Sequence, residues 1–198
     1  MKRDKITLIL STILTGMCTL AGCGSLKMIT INDITQKIYP VSGIAISDER
    51  ALEMQDKIPI HLYYADKENK LKLSILNIPK TEENTNINNL ATRIVKELMK
   101  KPKQQGLRTT IPNGTKLKEN VKIVNNIAYV DLSEEFINNH EGGKEEEQLT
   151  IFSIVNSLTE LKEIDKVHFK INGKSKKEYK GYFKFDKEFK RGLAILTK

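Results

Sequence analysis

The sequence predicts an α+β domain, a mixed β-sheet with two helices packed on one face. Two periodicities carry that class. Apolar residues alternate with period 2 in short runs broken by turn residues, over 58–75 and 121–130, and they recur with the helical period over 86–101 and 145–163. A third observation sets the scale. The chain has 198 residues, 39% apolar, 29% charged and 6% aromatic, with 11 Gly and 5 Pro. Those proportions exclude collagen, coiled-coil rods and wholesale disorder, and the length allows one domain or at most two. A segment of roughly 130 residues can bury about two thirds of its unfolded surface around a single core.

Met1 to Lys5 are basic on balance, and an apolar stretch follows from Ile6 to about Leu20. This is the n-region and h-region of an export signal. A membrane span needs ~20 predominantly apolar residues, whereas Gly24, Ser25 and Lys27 end this run early. The stretch closes on Leu20-Ala21-Gly22-Cys23, which resembles the lipobox of bacterial lipoproteins: small residues precede a thiol able to carry a diacylglyceryl thioether. Cys18 lacks that setting because Met17 stands before it, so it reads as a small hydrophobe of the h-region. Residues 1–22 are accordingly expected to be a signal peptide and Cys23 the lipidated N-terminus. No other Cys then remains in the mature chain. Two acyl chains hold a protein durably on a bilayer, which places the chain on the outer, extracytoplasmic face of the cell membrane.

Residues 23–57 read as lipidated N-terminus and tether, with a short helix after Ser47, and the folded domain spans 58–191. Ile58, Ile60, Leu62 and Tyr64 alternate with polar or bulky neighbours, Asp66 to Asn69 supply a turn, and Leu71, Leu73 and Ile75 alternate again, a hairpin. A helix over Asn86–Lys101 is capped by Asn86, tracks Leu90, Ile94 and Leu98 on one stripe with Ala91 and Val95 beside it, and is stopped by Pro102. Pro112, Asn113 and Gly114 fix a tight turn. Val121 and Ile123 then pair with Ile127 to Val130 about Asn125-Asn126, residues that accept positive φ. Asp131 and Glu134 stand in capping-box spacing. The second helix, Glu145–Glu163, shows a stripe of Leu149, Phe152, Val155, Leu158 and Leu161, and Glu145 to Glu147 lie at its N-terminus, where the dipole favours negative charge. Val167, Phe169 and Ile171 form a strand ending at Asn172-Gly173. An aromatic strand follows, with Tyr179, Gly181, Phe183 and Phe185 on one face and Lys180, Tyr182 and Lys184 on the other. The order reads ββαβββαβ, and 192–198 form a C-terminal tail.

The net charge of +8 sits at the two ends. Residues 174–198 carry nine basic and three acidic side chains, and of the five arginines only Arg191 lies there. Nucleic-acid binding asks for a basic groove on a folded face with Arg for base edges, so that class is excluded. Lysines on an aromatic edge strand guard against edge-to-edge pairing, and they also suit anionic lipid heads or wall polymers.

Catalytic and metal chemistry finds little material. His61 sits on a strand face, His168 lies opposite Val167 and Phe169 on its strand, and His140 sits in a loop ahead of Gly142-Gly143; none falls in a nucleophile or metal motif. Glu134, Glu135 and Glu145 to Glu147 read as helix N-terminal charges, since no alternating oxygen ligands of a calcium loop accompany them. Gly142-Gly143 lacks the Lys-Ser/Thr of a phosphate loop. The expectation is therefore no catalytic site, no metal, no cofactor and no small-molecule substrate.

Leu90 to Leu98, Ile111 to Leu117, Ala128 to Phe136, Ile154 to Glu160 and Val167 to Gly173 together resemble the GerMN (sporulation and spore germination) domain family, in the order expected, from about Ile58 to Arg191. The resemblance implies a non-enzymatic, lipid-anchored α+β domain similar to ring-building folds of secretion machines. Its partner is expected to be another envelope protein, and its role to aid assembly of an envelope or sporulation/germination complex. It also implies that the Gly181 to Phe185 stretch closes the domain. The founding member of the family looks like a tandem of two such domains, whereas this chain has room for one. Binding of cell wall or another anionic polymer is the alternative reading, followed by a wall-active enzyme with an unrecognised site.

Overall fold

The computed structural model of the chain describes residues 56–197. The expected signal peptide, Cys23 and the expected tether up to residue 55, with the short helix predicted after Ser47, lie outside those residues. The last two residues assigned to the tether belong to the domain. The carbonyl of Asp56 accepts from the N–H of Lys80 at 2.7 Å, and Lys57 opens the first strand.

Strands β1 (Lys57–Ala65) and β2 (Leu71–Pro79) form the expected antiparallel hairpin. Its turn is held by Asp66, whose Oδ1 accepts from the N–H groups of Glu68 and Lys70, both at 2.9 Å. The inward row of β2 differs from the expected Leu71, Leu73 and Ile75. Leu71 is buried, but Leu73 and Ile75 are 39% and 58% exposed. Leu76 and Ile78 turn inward instead, because the register sets them beside Ile60 and Ile58.

One helical turn, α1 (Glu82–Thr85), follows and was not expected; Thr81 caps it by accepting from Asn84 N–H. In α2 (Ile87–Leu98) the carboxamide of Asn86 accepts from the N–H groups of Asn88 and Asn89, as its sequence position predicts, and Leu90, Ala91, Ile94, Val95 and Leu98 are buried. The helix stops three residues short of Lys101 because tertiary donors take its last carbonyls. The Tyr64 hydroxyl donates to Glu97 O at 2.9 Å and Thr109 Oγ1 to Leu98 O at 2.7 Å.

Strands β3 (Lys122–Val124) and β4 (Ile127–Leu132) turn at Asn125 and Asn126, with φ of 50° and 61° as a primed turn requires. A single turn, α3 (Glu135–Asn138), comes next, without the capping box. The reason is that β4 stays in register with the strand beside it as far as Leu132, which keeps Asp131 in the ladder, where its Oδ1 accepts from Gly173 N–H at 2.9 Å.

Helix α4 (Lys144–Leu158) crosses between β4 and β5 (Lys166–Ile171), which run parallel; β6 (Phe189–Lys190) adds antiparallel to β5. The sheet order β3-β4-β5-β6 is mixed, with α2 and α4 packed on it and the hairpin a separate two-stranded sheet. Setting the single turns aside, the order is ββαββαββ, so two strands and not three separate the main helices. Ala128, Val130, Leu132, Val167, Phe169 and Ile171 form the covered face of the sheet.

The single-stripe reading of α4 needs correction. Thr150, Ser153, Asn156 and Ser157 are buried together with Leu149, Ile151, Ile154, Val155 and Leu158, whereas Phe152 is half-buried. The helix lies along the outer edge of β1, and two serines one turn apart satisfy that edge. Ser157 Oγ accepts from Tyr63 N–H at 2.9 Å, and Ser153 Oγ donates to Tyr63 O at 2.6 Å. The helix ends near Leu158 rather than at Glu163 because Thr159 Oγ1 turns back to donate to Val155 O at 2.8 Å.

The aromatic segment alternates in burial as expected but is not a strand. Tyr179 and Phe185 are buried, Phe183 is half-buried, and Lys180, Tyr182 and Lys184 are exposed. The chain reverses around Gly181 (φ 129°), with Tyr179 N–H donating to Phe183 O and Phe185 N–H to Lys177 O. Phe185 stacks on Phe169 with centroids 5.0 Å apart and planes 9° apart, which pulls the segment onto the core. Residues 192–197, read as a tail, are docked as well. Asn156 exchanges two hydrogen bonds with Gly192, both at 2.9 Å, and Leu71 bonds Ile195 O and Thr197 N–H through its own backbone.

Candidate functional site

Cys23, the one site residue named from sequence, lies outside the described residues. The three histidines fall into three unrelated settings. His61 on β1 joins a cluster that the sequence did not reveal, because its members come from positions far apart in the chain. His61 Nδ1 lies 2.8 Å from Glu160 Oε2, and Tyr63 Oη donates to Glu160 Oε1 at 2.8 Å. Arg191 donates both to Tyr63 Oη, at 2.7 Å, and to Glu160 Oε1, and its guanidinium lies over the Tyr63 ring. Burial alone would push the Glu160 carboxyl up, yet hydrogen bonds from His61, Tyr63 and Arg191 hold it below the usual carboxylate range. Glu160 thus collects His61, Tyr63 and Arg191, and the cluster ties the end of α4 and the segment after β6 to the hairpin.

His140 is buried and serves a relay of structural bonds. Gly142 N–H donates to its Nδ1 at 2.9 Å, which assigns the remaining proton to Nε2, 3.0 Å from Thr150 Oγ1. Thr150 in turn donates to Thr110 O at 2.8 Å. Burial pushes the imidazole pKa down, against the pull of Glu147 and Glu146. A polar concavity of about 280 Å³ opens beside this relay, lined by Arg108, Asn113, Asn139, His140 and Glu146. Arg108 grips Glu146 through two nitrogens there, at 2.6 and 3.1 Å.

The glutamates at the start of α4 do more than complement a helix dipole. Glu145 accepts from Asn69 on the hairpin turn, Glu146 holds Arg108, and Glu147 Oε2 accepts from Tyr182 N–H at 3.2 Å. Glu147 Oε1 is buried with no partner among the described residues. No group of three or more His, Cys, Asp or Glu among the described residues could hold a metal ion. No helix among them is long and apolar enough to cross a membrane.

His168 belongs to the uncovered face of the four-stranded sheet. Its ring lies 5.5 Å from that of Tyr129, and Lys170 Nζ sits 5.7 Å above the Tyr129 ring. Burial and the Lys170 charge both push the His168 pKa down. Beside them a concavity of about 570 Å³ spreads over β3, β4 and β5, lined by Glu119, Lys122, Val124, Tyr129, Asp131 and Lys170. Val124 is 52% exposed. An aromatic ring, an exposed aliphatic group and charges of both signs, laid out on rigid strands, make this face suited to contact with another macromolecular surface.

The chain is similar to the tandem GerMN domains of the sporulation protein GerM from Bacillus subtilis, with 30% identity, a TM-score of 0.52, and coverage of 63% of this chain and 43% of that one. It therefore spans less than half the length of the tandem structure. The first GerMN domain of the same protein matches at 30% identity and a TM-score of 0.51, covering 62% of this chain and 88% of that one. A candidate lipoprotein from Clostridium perfringens is 25% identical over 69% of this chain and 89% of its own, with a TM-score of 0.49. No curated protein matches. The Germane family, described as sporulation and spore germination, matches residues 61–177, more than half of the chain and from β1 to beyond β5. The chain belongs to the Germane (GerMN) family of sporulation and spore germination domains.

Proposed function

We propose that the chain is an extracytoplasmic lipoprotein, anchored through Cys23, whose GerMN domain docks another envelope protein and so aids assembly of an envelope or sporulation/germination complex. The uncovered sheet face carries this reading. Its Tyr129, Val124, Lys122 and Lys170 are presented on paired strands, with His168 beside Tyr129, while His61, His140, Glu145 and Glu146 are bonded within the fold. Family membership supports the process, and the lipobox at Leu20 to Cys23 supports the location. The test is in-cell crosslinking and pull-down of the anchored protein from sporulating and vegetative cells, beside a Tyr129→Ala/Lys170→Glu variant. A protein partner lost in the variant is the expected outcome; recovery of wall glycans or lipid alone would defeat the reading. Cys23→Ser should release the protein from the membrane fraction, and membrane association that survives the change would remove the anchor. A second reading, binding of an anionic wall polymer, is favoured by the exposure of Lys174, Lys176, Lys177, Lys180, Lys184, Lys187 and Lys190.

A further inference from the structure

We propose that the free edge of β2 takes up an added strand: an extended segment of a partner protein with acidic side chains on one face and aliphatic ones on the other. This builds on the docking reading above. Leu71 fixes which backbone groups of β2 point away from β1, since its N–H and C=O bond Ile195 O and Thr197 N–H at 2.8 and 2.9 Å. Outward groups recur at every second residue of an antiparallel pair, so those of Leu73, Ile75 and Asn77 face away too. Among the described residues nothing bonds them.

The other strand edges are closed or short. On β1, Tyr63 is bonded by Ser153 and Ser157 and Ala65 pairs with Arg108, while the stretch before them is blunted by Lys57 and Pro59. On the four-stranded sheet the edges are β3, of 3 residues, and β6, of 2 residues beside Lys187 and Lys190. Exposed edges are normally blunted by charge, proline or shortness. β2 has 9 residues; Lys72 and Pro79 lie towards its ends, and the stretch between them, Leu73 to Ile78, carries no charge and no proline.

The two faces of its pleat define the occupant. One face presents Leu73 and Ile75, which want aliphatic neighbours across the strand pair. On the other, a concavity of about 120 Å³ lies between β2 and the loop after α2, lined by Leu62, Ser74 and Leu76, by part of Ile75 at the edge, and by Lys100, Lys101 and Lys103. Glu97, the carboxylate of that lining, is engaged by Arg93 and Lys100, both at 2.7 Å. Lys101, Lys103 and Lys72 have no ion pair among the described residues. A second copy of this chain, paired about a two-fold axis, would set these lysines against their own images, so a different, acidic strand is the complementary occupant. Backbone bonds would supply affinity and the alternate side chains specificity.

The experiment uses the full chain in detergent micelles and two labelled short peptides, one alternating Glu and Val, the other Lys and Val. Anisotropy and amide hydrogen exchange are read together. The Glu-Val peptide should bind, slow exchange at the outward N–H groups of Leu73, Ile75 and Asn77, and weaken with salt. Ile75→Lys should weaken it about tenfold or more, a factor worth ~1.4 kcal/mol. Lys101→Glu/Lys103→Glu should transfer preference to the Lys-Val peptide. Binding of neither peptide, or binding indifferent to Ile75→Lys, would overturn the proposal. So would slow exchange at the N–H groups of Leu73, Ile75 and Asn77 in the unliganded protein, whether it persists on dilution, as cover by the chain's own residues would, or disappears, as self-pairing would. Undiminished crosslinking of a partner to the Ile75→Lys chain in cells sinks the edge proposal alone and leaves the docking reading standing. Peptide binding without any cellular partner does the reverse.

Discussion

Replacing Phe185 by Ala tests whether the lysine-rich segment after β5 is part of the core. The ring is fully buried and stacks on Phe169 at 5.0 Å, with Tyr179 at 5.1 Å, Phe189 at 6.0 Å and Phe136 at 6.3 Å. Truncation of a core Phe costs ~3 to 5 kcal/mol, and loss of several aromatic neighbours favours the upper half of that range. At ~2.1 cal/mol/K per residue, unfolding residues 56–197 carries an entropy of ~0.3 kcal/mol/K, so a loss of ~4 kcal/mol lowers Tm by ~13 °C. The control lies three residues away. Tyr182 is 63% exposed and engages Glu147 only through its backbone N–H, so Tyr182→Ala should stay within ~0.5 kcal/mol, or ~2 °C. Thermal melts followed by far-UV circular dichroism measure both. A Phe185→Ala melt within ~4 °C of the parent, or equal to that of Tyr182→Ala, would refute the placement of this segment in the core.

Further outcomes follow from other contacts. Ser157→Ala leaves the buried N–H of Tyr63 without its acceptor and should cost ~1 to 3 kcal/mol in denaturant unfolding, with faster amide exchange at Tyr63. In Gly192→Ala the new Cβ would sit 2.6 Å from Phe152 Cδ1, forcing that ring off Phe183 and Phe189; a loss of ~1 to 3 kcal/mol is expected, and no loss would show that the ring swings out freely. Stability should also fall as pH drops below about 6.5. Burial lowers the pKa of His140 and of His168 in the folded state, so the unfolded chain, titrating near 6.5, binds more protons just below that pH. Melts at pH 7.5 and 5.5 measure the slope, and changing both residues to Gln should flatten it.

Local signals were legible where a residue type answers to one backbone geometry. Asn125-Asn126 could be read as a primed turn and Asn86 as a cap because positive φ and an exposed helix N-terminus each select asparagine. β2 was harder, since Leu71, Leu73 and Ile75 offer one apolar phase and Leu76 and Ile78 the other, and only pairing with Ile60 and Ile58 decides between them. The buried polar residues of α4 fell outside the apolar stripe for a similar reason. A periodicity argument cannot know that Ser153 and Ser157 meet the edge of a strand some 90 residues earlier in the chain. The Glu160 cluster was hidden for the same cause, its bonds reaching across 99 and 128 residues. The aromatic segment gave its faces correctly and its backbone incorrectly, because alternation in burial follows from a short reversal packed on an aromatic core as readily as from a strand.

The docking of residues 191–197 on the first hairpin has a consequence for the order of events in folding. Arg191 reaches Tyr63, Thr197 Oγ1 donates to Asp66 Oδ2 at 2.5 Å across 131 positions, and Leu71 pairs with Ile195 and Thr197. A chain that emerges N-terminus first can close the hairpin turn early and then anchor β1 on Arg108, Ser153 and Ser157, but Leu71 and Asp66 gain these partners only when residues 191–197 have arrived. Contacts of such long sequence separation slow folding, and they leave the start of β2 unlatched until that point. Loss of the last handful of residues would therefore act at the opposite end of the chain, as an early hairpin that never locks and stays open to proteases.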